Sequence, residues 1–485
     1  MLFNSLQFLV FLPLVFVFYW FVFRRLKWQN AFVVVASYVF YGWWNWHFLL
    51  LIFITSLCSY ASGLLIDRAA AGSVRAKAVV AANLLINLGI LGLFKYYNFF
   101  AESFSSLLSA LGMHADLPTL KLILPVGISF YTFQALSYTI DVYRRRLPAT
   151  RDAVAFFAYI SFFPQLVAGP IERATQLLPQ MQRQRTFSYE AATDGMRQML
   201  WGFFKKMVVA DNCALVANAV WADCANQSSA ALAVGALMFT LQIYGDFSGY
   251  SDIAIGTARL FGINLSRNFD FPYFARNVSE FWRKWHISLM SWLTDYIYIP
   301  LGGNRVSRLK NVRNVGVVFL VSGLWHGANW TFVAWGVYHA LLFIPLRIMG
   351  VKGHFDQPVA AGKMLPSAKE LCQMLLTFAL VVVGWILFRS DSMAQALTYM
   401  HGMAAPCSMG EALAALRMAK MPMAFGAVMM IAEWLQRTKQ HALQIDGNWC
   451  VPLRMRSVRW ALYMLIGAAT VWFQGAQQSF IYFQF

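Results

Sequence analysis

The sequence predicts an all-α, polytopic membrane protein, and three observations support that prediction. Of the 485 residues, 59% are hydrophobic and only 12% are charged, a balance that water-soluble domains of this size do not normally keep. Uncharged runs at 1–23, 78–94 and 371–388 are close in length to the ~20 residues that a helix needs to cross a bilayer. These runs do not alternate between polar and apolar residues as the strands of a membrane barrel do, so the spans are predicted to be helices.

The basic residues lie where membrane proteins keep them. The formal net charge of +18 could indicate a nucleic-acid partner, but the Lys and Arg residues form short clusters directly beside the apolar runs. This is the positive-inside pattern, so we expect a lipid bilayer and no nucleic acid as partner, with each cluster in the cytoplasm. The clusters are Arg24, Arg25 and Lys27; Arg144, Arg145, Arg146 and Arg151; Arg305, Arg308, Lys310 and Arg313; and Arg454, Arg456 and Arg459.

These clusters orient the spans in the first part of the chain. The N-terminal run is followed by positive charge and has no cleavage pattern, so it is predicted to be a retained span with the N-terminus outside the cytoplasm. The stretch 28–66 must leave the cytoplasmic side and return, which predicts two short helices with a bend near 42–45. The run 78–94 then crosses outward, 95–121 is expected outside, and the run 122–140 returns.

The remainder of the chain is less regular. After the last basic cluster, the uncharged segment 460–485 predicts a final span that carries the C-terminus outside. Because no linker, repeat or soluble segment is found, residues 1–485 are expected to form a single integral membrane domain. Between 152 and 304, prolines and aspartates interrupt the apolar stretches and predict broken or interfacial helices; they are Pro164, Pro170, Asp246, Asp252 and Pro272.

Residues 314–346 contain no charged side chain and yet hold two histidines, His326 and His339. The run is too long for one ordinary span and short for two, and glycines and Asn329 surround the first histidine, which predicts a helix break there. His326 follows Arg313 by thirteen residues. At the rise of an α-helix this is roughly 20 Å, so we expect His326 near the bilayer centre.

His326 is therefore the main candidate for catalysis. A polar ring at that depth is costly unless it faces a partner or a water-filled cavity. Neutral imidazole also accepts a proton from a hydroxyl near neutral pH, which makes His326 a candidate general base. The alternative is a core histidine with satisfied hydrogen bonds, and this is the interpretation that we prefer for His339.

A second candidate segment runs from Glu280 to Arg305. If it is helical, Glu280, Arg283 and His286 share one face, and the helix lies at a membrane interface or lines a polar cavity. The alternative is a surface helix anchored by its tryptophans, with His286 merely amphipathic. The aromatic and apolar residues of the opposite stripe are at 282, 285, 289, 292 and 296.

Asp246 and Asp252 lie within another apolar stretch. Carboxylates near membrane depth need partners, and Arg276, Arg283 and Lys284 are the candidates. We interpret the two aspartates and Arg283 as structural polar residues of the site rather than as acids or bases.

The C-terminal tail places Tyr482 between Phe480, Phe483 and Phe485. By residue type alone, this pattern predicts an aromatic belt at the outer membrane interface. No metal or tightly bound cofactor is expected, because the six cysteines and eight histidines lack the spacing of metal ligands.

Several longer motifs resemble those of a known family. They follow one another over nearly the whole chain in the order found in the bacterial branch of the membrane-bound O-acyltransferase family, the branch of alginate O-acetylation and teichoic acid D-alanine transfer proteins. The motifs are LPVGISFYTFQALSYTIDVYR at 124–144, LVAGPIER at 166–173, YGDFSGYSDIAIG at 244–256, EFWRKWHIS at 280–288, DYIYIPLGGNR at 295–305 and SGLWHGANW at 322–330.

The resemblance implies roles for single residues. His326 matches the family's catalytic histidine and His286 its second histidine. The tail resembles a C-terminal motif whose tyrosine, here Tyr482, carries the acyl group. The implied fold is a multi-helix bundle with broken and re-entrant helices around a central tunnel, in which donor and acceptor meet. Four further residues of the motifs are interpreted as substrate-binding: Asn329, Trp325, Asp295 and Arg305.

The implied activity is acyl transfer, most simply acetyl transfer, in the bacterial inner membrane. The donor would be a cytoplasmic thioester such as acetyl-CoA, and the acceptor a hydroxyl for an extracytoplasmic polysaccharide, with an extracytoplasmic acetyltransferase as partner protein. Residues 351–371 and 401–454 carry no motif that identifies the polymer, so alginate, cellulose and peptidoglycan remain open. D-alanyl transfer is the alternative within the enzyme class. A transporter is the alternative outside it, although the sequence shows no inverted repeat.

Overall fold

The computed structural model describes residues 1–113, 117–167, 169–351, 355, 357–445 and 455–481. Within these residues the secondary structure is helical, without strands. The α-helices are α1 Leu6–Val17, α2 Leu26–Gly42, α3 Phe48–Asp67, α4 Val74–Leu91, α5 Tyr97–Ala110, α6 Ile128–Tyr143, α7 Ala153–Ser161, α8 Phe163–Leu166, α9 Ala174–Met181, α10 Tyr189–Phe203, α11 Asp211–Ala222, α12 Ser229–Leu260, α13 Val278–Lys284, α14 Ile287–Leu293, α15 Arg308–His326, α16 Trp330–Ile348, α17 Ala368–Arg389, α18 Met393–Met403, α19 Met409–Leu435 and α20 Arg456–Trp472.

Six of the described helical segments are long and apolar enough to cross a membrane. A shorter apolar helix, Leu6–Val22, lies within the predicted N-terminal span. The prediction of an all-α, multi-pass membrane protein is therefore confirmed. The six segments are Phe48–Asp67, Val74–Ala110, Ser229–Leu260, Trp330–Ile348, Ala368–Arg389 and Met409–Leu435.

The chain divides into two compact units. The first unit contains Met1–Ala192 and Thr257–Ser266, and the second contains Thr193–Gly256 and Arg267–Phe485. The prediction that all 485 residues act as one membrane domain is not tested by this division and stays a prediction.

In the first unit, the predicted bend between two short helices is confirmed, because α2 ends at Gly42 and α3 begins at Phe48. The sequence did not predict α5, which follows α4 through the π-helical turn Gly92–Tyr96 and forms most of the segment expected outside the membrane. At the N-terminus, the Met1 ammonium group donates to the Phe40 carbonyl at 2.8 Å.

The core of the first unit is built around α6, which packs against α3 and α4 and is buried over nearly its whole length. Gly63 of α3 faces Tyr138 of α6, and a Cβ added at Gly63 would lie 2.6 Å from the tyrosine hydroxyl. Glycine is therefore what lets these two helices approach each other.

In the second unit, the long helix α12 passes through Asp246 and Asp252 without a break. The sequence predicted an interruption there, and this prediction was wrong. Carboxylates do not prevent a helix from continuing when other side chains neutralise them, and both aspartates are ion-paired. Close packing against α10 also supports α12, because a Cβ at Gly202 of α10 would lie 2.7 Å from the Gly249 carbonyl oxygen.

The predicted break beside His326 is confirmed and takes the form of a helical hairpin. Helix α15 ends at His326 and α16 begins at Trp330. The two helices run antiparallel, since a Cβ at Gly323 would lie 2.3 Å from the Phe332 carbonyl oxygen and a Cβ at Gly336 would lie 2.5 Å from that of Phe319. Two glycines thus allow the backbones to touch and fix the end of α15 that carries the histidine.

This packing predicts a large difference between two alanine substitutions on the same helix. Gly323→Ala places a methyl group against the α16 backbone and should destabilise the protein by roughly 1–3 kcal/mol, the usual cost of overpacking. Gly316→Ala is the matched control, because no atom lies within 4 Å of its added Cβ. Unfolding of both variants in detergent measures the difference, and equal stability of the two would show that the hairpin is not tightly packed at Gly323.

Candidate active site around two histidines

His326 occupies the last position of α15 and is 3% exposed. Aromatic rings surround its imidazole: the ring centroids of Trp325 and Trp335 lie 5.0 Å away, and that of Phe388 lies 5.2 Å away. Trp335 and Phe388 meet the imidazole nearly edge-on, with interplanar angles of 83° and 73°. These rings form an apolar wall that limits the access of bulk water to the imidazole.

The structure brings His286 to the same place. The ring centroids of His286 and His326 are 6.4 Å apart, and Trp325 contacts both rings, with its centroid 5.7 Å from that of His286. His286 is 1% exposed. Two histidines separated by 40 positions of sequence, as predicted for one site, therefore share one aromatic pocket in the second unit.

The local backbone at His286 differs from the predicted helix. Helix α13 ends at Lys284, α14 begins at Ile287, and His286 lies between them with a left-handed φ of 45°. A non-glycine residue in this conformation is strained and cannot continue a right-handed helix. The prediction of a single helix with Glu280, Arg283 and His286 on one face was therefore wrong.

Asn268 holds the His286 ring in one tautomer. The Ser288 backbone N–H and hydroxyl donate to Asn268 Oδ1 at 3.3 and 2.9 Å, and the amide nitrogen of Asn268 donates to Ser251. Because a backbone N–H can only donate, Oδ1 is an acceptor, and His286 Nδ1, 3.1 Å from it, must carry the proton. In the neutral ring the lone pair then resides on Nε2.

The protonation state of His286 follows from its burial. The residue lies outside the six candidate spans, and burial lowers the pKa of its ring to about 3. A neutral ring with its lone pair on Nε2 accepts a hydrogen bond or a proton. It does not donate from Nε2, so in this tautomer His286 cannot donate a hydrogen bond to an oxyanion.

His339 belongs to the core, as predicted, but its hydrogen bonding was predicted wrongly. The ring is fully buried and meets Trp282 and Trp335 with centroids 4.9 Å away in both cases. Neither ring nitrogen has a hydrogen-bond partner within the described part of the chain. Aromatic packing, rather than a satisfied polar contact, surrounds this side chain.

Two consecutive lysines neutralise the predicted structural aspartates. Lys205 Nζ lies 2.6 Å from Asp252 Oδ2 and 3.7 Å from Glu433 Oε1, and it donates to Ser248 Oγ at 2.9 Å. Tyr244 donates to the other oxygen of Glu433 at 2.6 Å. Polar side chains of this group line a small cavity of about 10 Å³, which also borders Asn268, Arg267 and His441.

Lys206 forms the second ion-paired group. Its Nζ lies 2.8 Å from both Asp246 Oδ1 and Asp211 Oδ1. The predicted partners of the aspartates were wrong, because Arg276 and Lys284 pair with Glu280 instead.

The remaining predicted site residues lie in different settings. Arg283 and Arg305 are exposed, and Asp295 is half-buried in the π-helical turn Thr294–Tyr298. Asn329 caps α16, with its Oδ1 accepting from the Thr331 N–H, and its amide nitrogen donates to the Asp391 carbonyl. Tyr482 lies outside the described residues.

The end of the tail is not in the predicted outer belt. Phe480 and Ile481 are fully buried in the second unit. The Phe480 ring lies 4.3 Å from that of Tyr250 and 5.9 Å from that of Phe247, and the Phe247 ring meets His286 edge-on at 4.7 Å. The chain therefore approaches the histidine pocket shortly before Tyr482.

Sequence reasoning missed Asn268, Glu433 and the lysine pair. The pair was visible as two adjacent charges inside the otherwise apolar segment FFKKMVVA at 203–210, which is a signal of buried ion pairing. Asn268 gave no signal, because an asparagine in an irregular segment is most often a turn residue.

The helices and the paired histidines define a multi-pass membrane protein with a buried imidazole site. Residues 40–351 match the family described as the membrane-bound O-acyltransferase family. The chain belongs to this family, which confirms the resemblance seen in the sequence, and it is therefore an acyltransferase.

Curated relatives include two kinds of O-acetylating protein. The probable alginate O-acetylase AlgI of Pseudomonas aeruginosa is 40% identical over 394 residues, which cover 81% of this chain and 73% of the relative. The peptidoglycan O-acetyltransferase of Helicobacter pylori is 34% identical over 436 residues, which cover 83% of this chain and 80% of the relative. The teichoic acid D-alanyltransferase of Bacillus subtilis is 27% identical over 294 residues, which cover 56% of this chain and 70% of the relative.

Proposed function

We propose that this O-acyltransferase moves an acetyl group from cytoplasmic acetyl-CoA to a hydroxyl destined for an extracytoplasmic polysaccharide, with His326 as the general base. The observation that supports this most directly is the buried pair of His286 and His326 around Trp325. The higher identity to O-acetylating relatives than to a D-alanyltransferase favours acetyl as the group transferred.

In the proposed transfer at His286 and His326, each bond that forms is matched by a bond that breaks. The acceptor oxygen bonds to the thioester carbonyl carbon as His326 removes its proton, and the C–S bond then breaks. The imidazolium returns the proton to the leaving thiolate, which departs as free thiol. His286, held by Asn268 with its lone pair on Nε2, is a second accepting group beside His326 in the same pocket.

We further propose that the protein resides in a bacterial inner membrane with both termini outside the cytoplasm. The exposed Arg305 and the basic residues that follow it would attract the phosphates of coenzyme A at the cytoplasmic side. The acceptor polymer would be of the alginate, cellulose or peptidoglycan type, and an extracytoplasmic acetyltransferase would complete the transfer. Asp295 and Trp325 remain candidate substrate contacts.

Labelled donors test the activity directly. The purified protein in lipid nanodiscs should transfer label from [¹⁴C]acetyl-CoA to itself or to an oligosaccharide acceptor, and transfer from a D-alanyl carrier protein should be absent. Transfer of D-alanine alone would replace acetyl by D-alanyl as the group transferred. Saturable uptake of acetyl-CoA into sealed proteoliposomes, without any acetyl transfer, would favour the transporter alternative.

Tyr482 is proposed to carry the acetyl group between donor and polymer. Tyr482→Phe removes the phenol oxygen and should lower polymer acetylation by at least about tenfold, as expected when a covalent carrier is lost. The control is Tyr189→Phe, which makes the same chemical change at a 76% exposed position. Mass spectrometry of the C-terminal peptide and an assay of polymer acetate measure the two effects, and normal acetylation by Tyr482→Phe would exclude the relay.

A further inference from the structure

The group around Lys206 has more negative than positive charge and is closed to solvent. Lys206, Asp211 and Asp246 are only 1–3% exposed as side chains, and the single ammonium lies 2.8 Å from each carboxylate. One lysine offers three N–H donors, whereas two carboxylates offer more acceptor positions than it can fill. Buried carboxylates of this kind require additional donors.

The C-terminal tail supplies a donor and accepts from the lysine. The Ile481 N–H donates to Asp246 Oδ2 at 2.7 Å, and Lys206 Nζ donates to the Gln478 carbonyl at 3.3 Å. Both contacts use the backbone of the tail, so they depend on its path and register rather than on its side chains.

Two more hydrogen bonds hold the beginning of the tail. The Gly475 N–H donates to the Met207 carbonyl at 3.0 Å, and the Asn212 side chain donates to the Phe473 carbonyl at 2.8 Å. Gly475 lies directly on the backbone of α11, because an added Cβ would be 2.8 Å from the carbonyl carbon of Asp211. Hydrogen bonds of residues 473 to 481 thus hold the tail along one path.

This path leads toward the histidine pocket. Phe480 packs on Phe247, whose ring meets His286 edge-on, and Ile481 is still fully buried where the described tail ends. The next residue in sequence is Tyr482.

We propose that Lys206, Asp211 and Asp246 form a positioning site that binds the backbone of the tail and presents Tyr482 to the histidine pair. This inference rests on the proposed role of Tyr482 as acyl carrier. The three side chains do not touch the reacting atoms; they fix the tether, which raises the effective concentration of the phenol at the imidazoles. Asp246, a buried charge of α12, then helps to position the acceptor.

A pair of glycine substitutions separates tail position from general stability. Gly475→Ala pushes the tail away from the start of α11, where the added methyl group would lie 3.0 Å from Asp211 Cβ, and it removes none of the three charged groups. Gly467→Ala in α20 is the matched control, because its added Cβ meets no atom within 4 Å. In a second variant, Asp246→Ala, the Ile481 N–H loses its acceptor while Lys206 keeps Asp211.

Two measurements on the full-length protein in nanodiscs report whether the tail is bound and whether Tyr482 is acetylated. Carboxypeptidase removes residues from the C-terminus, and mass spectrometry shows where removal ends. In the parent and in Gly467→Ala, Ile481 should not be removed. In Gly475→Ala and Asp246→Ala, removal should continue beyond Ile481 into the tail. The maximal single-turnover rate of Tyr482 acetylation from acetyl-CoA should fall by at least about tenfold in the latter two, and the acetyl-CoA concentration that gives half of this rate should be unchanged.

The outcomes distinguish the inference from the proposed function. Unchanged protection in folded Gly475→Ala and Asp246→Ala would overturn the binding of the tail. Lost protection with normal Tyr482 acetylation would overturn the positioning role. A parent protein that transfers acetyl groups to acceptors without ever acetylating Tyr482 would overturn the relay and the positioning role together, while digestion would still report the binding of the tail.

Discussion

His326→Ala is expected to lower the rate of acetyl transfer by about 10²- to 10⁴-fold, the range contributed by a positioned general base. The substitution removes the only imidazole at the end of α15, while the surrounding rings of Trp325, Trp335 and Phe388 remain in place. Initial rates with labelled acetyl-CoA in nanodiscs measure the loss.

The control for this variant is His401→Ala, which removes an exposed imidazole from α18. It should keep the parent rate. His326→Ala should also elute as folded protein, although the cavity that it leaves among the aromatic rings is expected to lower its unfolding temperature. A folded His326→Ala variant that transfers acetyl at the parent rate would exclude the base role.

Lys205→Met is expected to have the largest effect on stability, about 3–5 kcal/mol, because it leaves buried carboxylates without their counter-charge. Lys205 is 3% exposed as a side chain, and it faces Asp252 at 2.6 Å and Glu433 at 3.7 Å. Equilibrium unfolding in mixed detergent measures the change.

A compensating variant and a surface control sharpen this test. Adding Asp252→Asn and Glu433→Gln to Lys205→Met removes the uncompensated charges and should recover part of the lost stability. Asp391→Asn alters an ion pair whose aspartate is 84% exposed and should change stability by less than about 1 kcal/mol. If Lys205→Met were no less stable than Asp391→Asn, the buried network would not contribute to folding.

The sequence predicted those parts of the fold that follow from composition and local breaks. Three features were visible because an apolar run ends there at a glycine, an asparagine or a charged residue. They are the bend before Phe48, the turn after His326 and the span of α17. Long apolar helices depend on local residues, which a single sequence displays in full.

The parts that failed depend on contacts between distant residues. Lys205 and Glu433 are 228 positions apart, so no local pattern could pair them. The break at His286 requires a positive φ at a non-glycine residue, which a histidine adopts more often than most residues but still too rarely for the residue type to predict it. Nor could aromatic residues of the tail be assigned to protein core rather than to the lipid interface, because Phe480 suits both environments equally.

Both ends of the described chain are tied to the interior, by the Met1 ammonium on the Phe40 carbonyl and by the Ile481 N–H on Asp246. Affinity tags are usually fused at chain ends, and here they would place a charged peptide close to these two buried hydrogen bonds. The exposed connection 404–408 between α18 and α19 offers an insertion point that leaves both anchors intact. An epitope placed there is the better handle for purifying active enzyme.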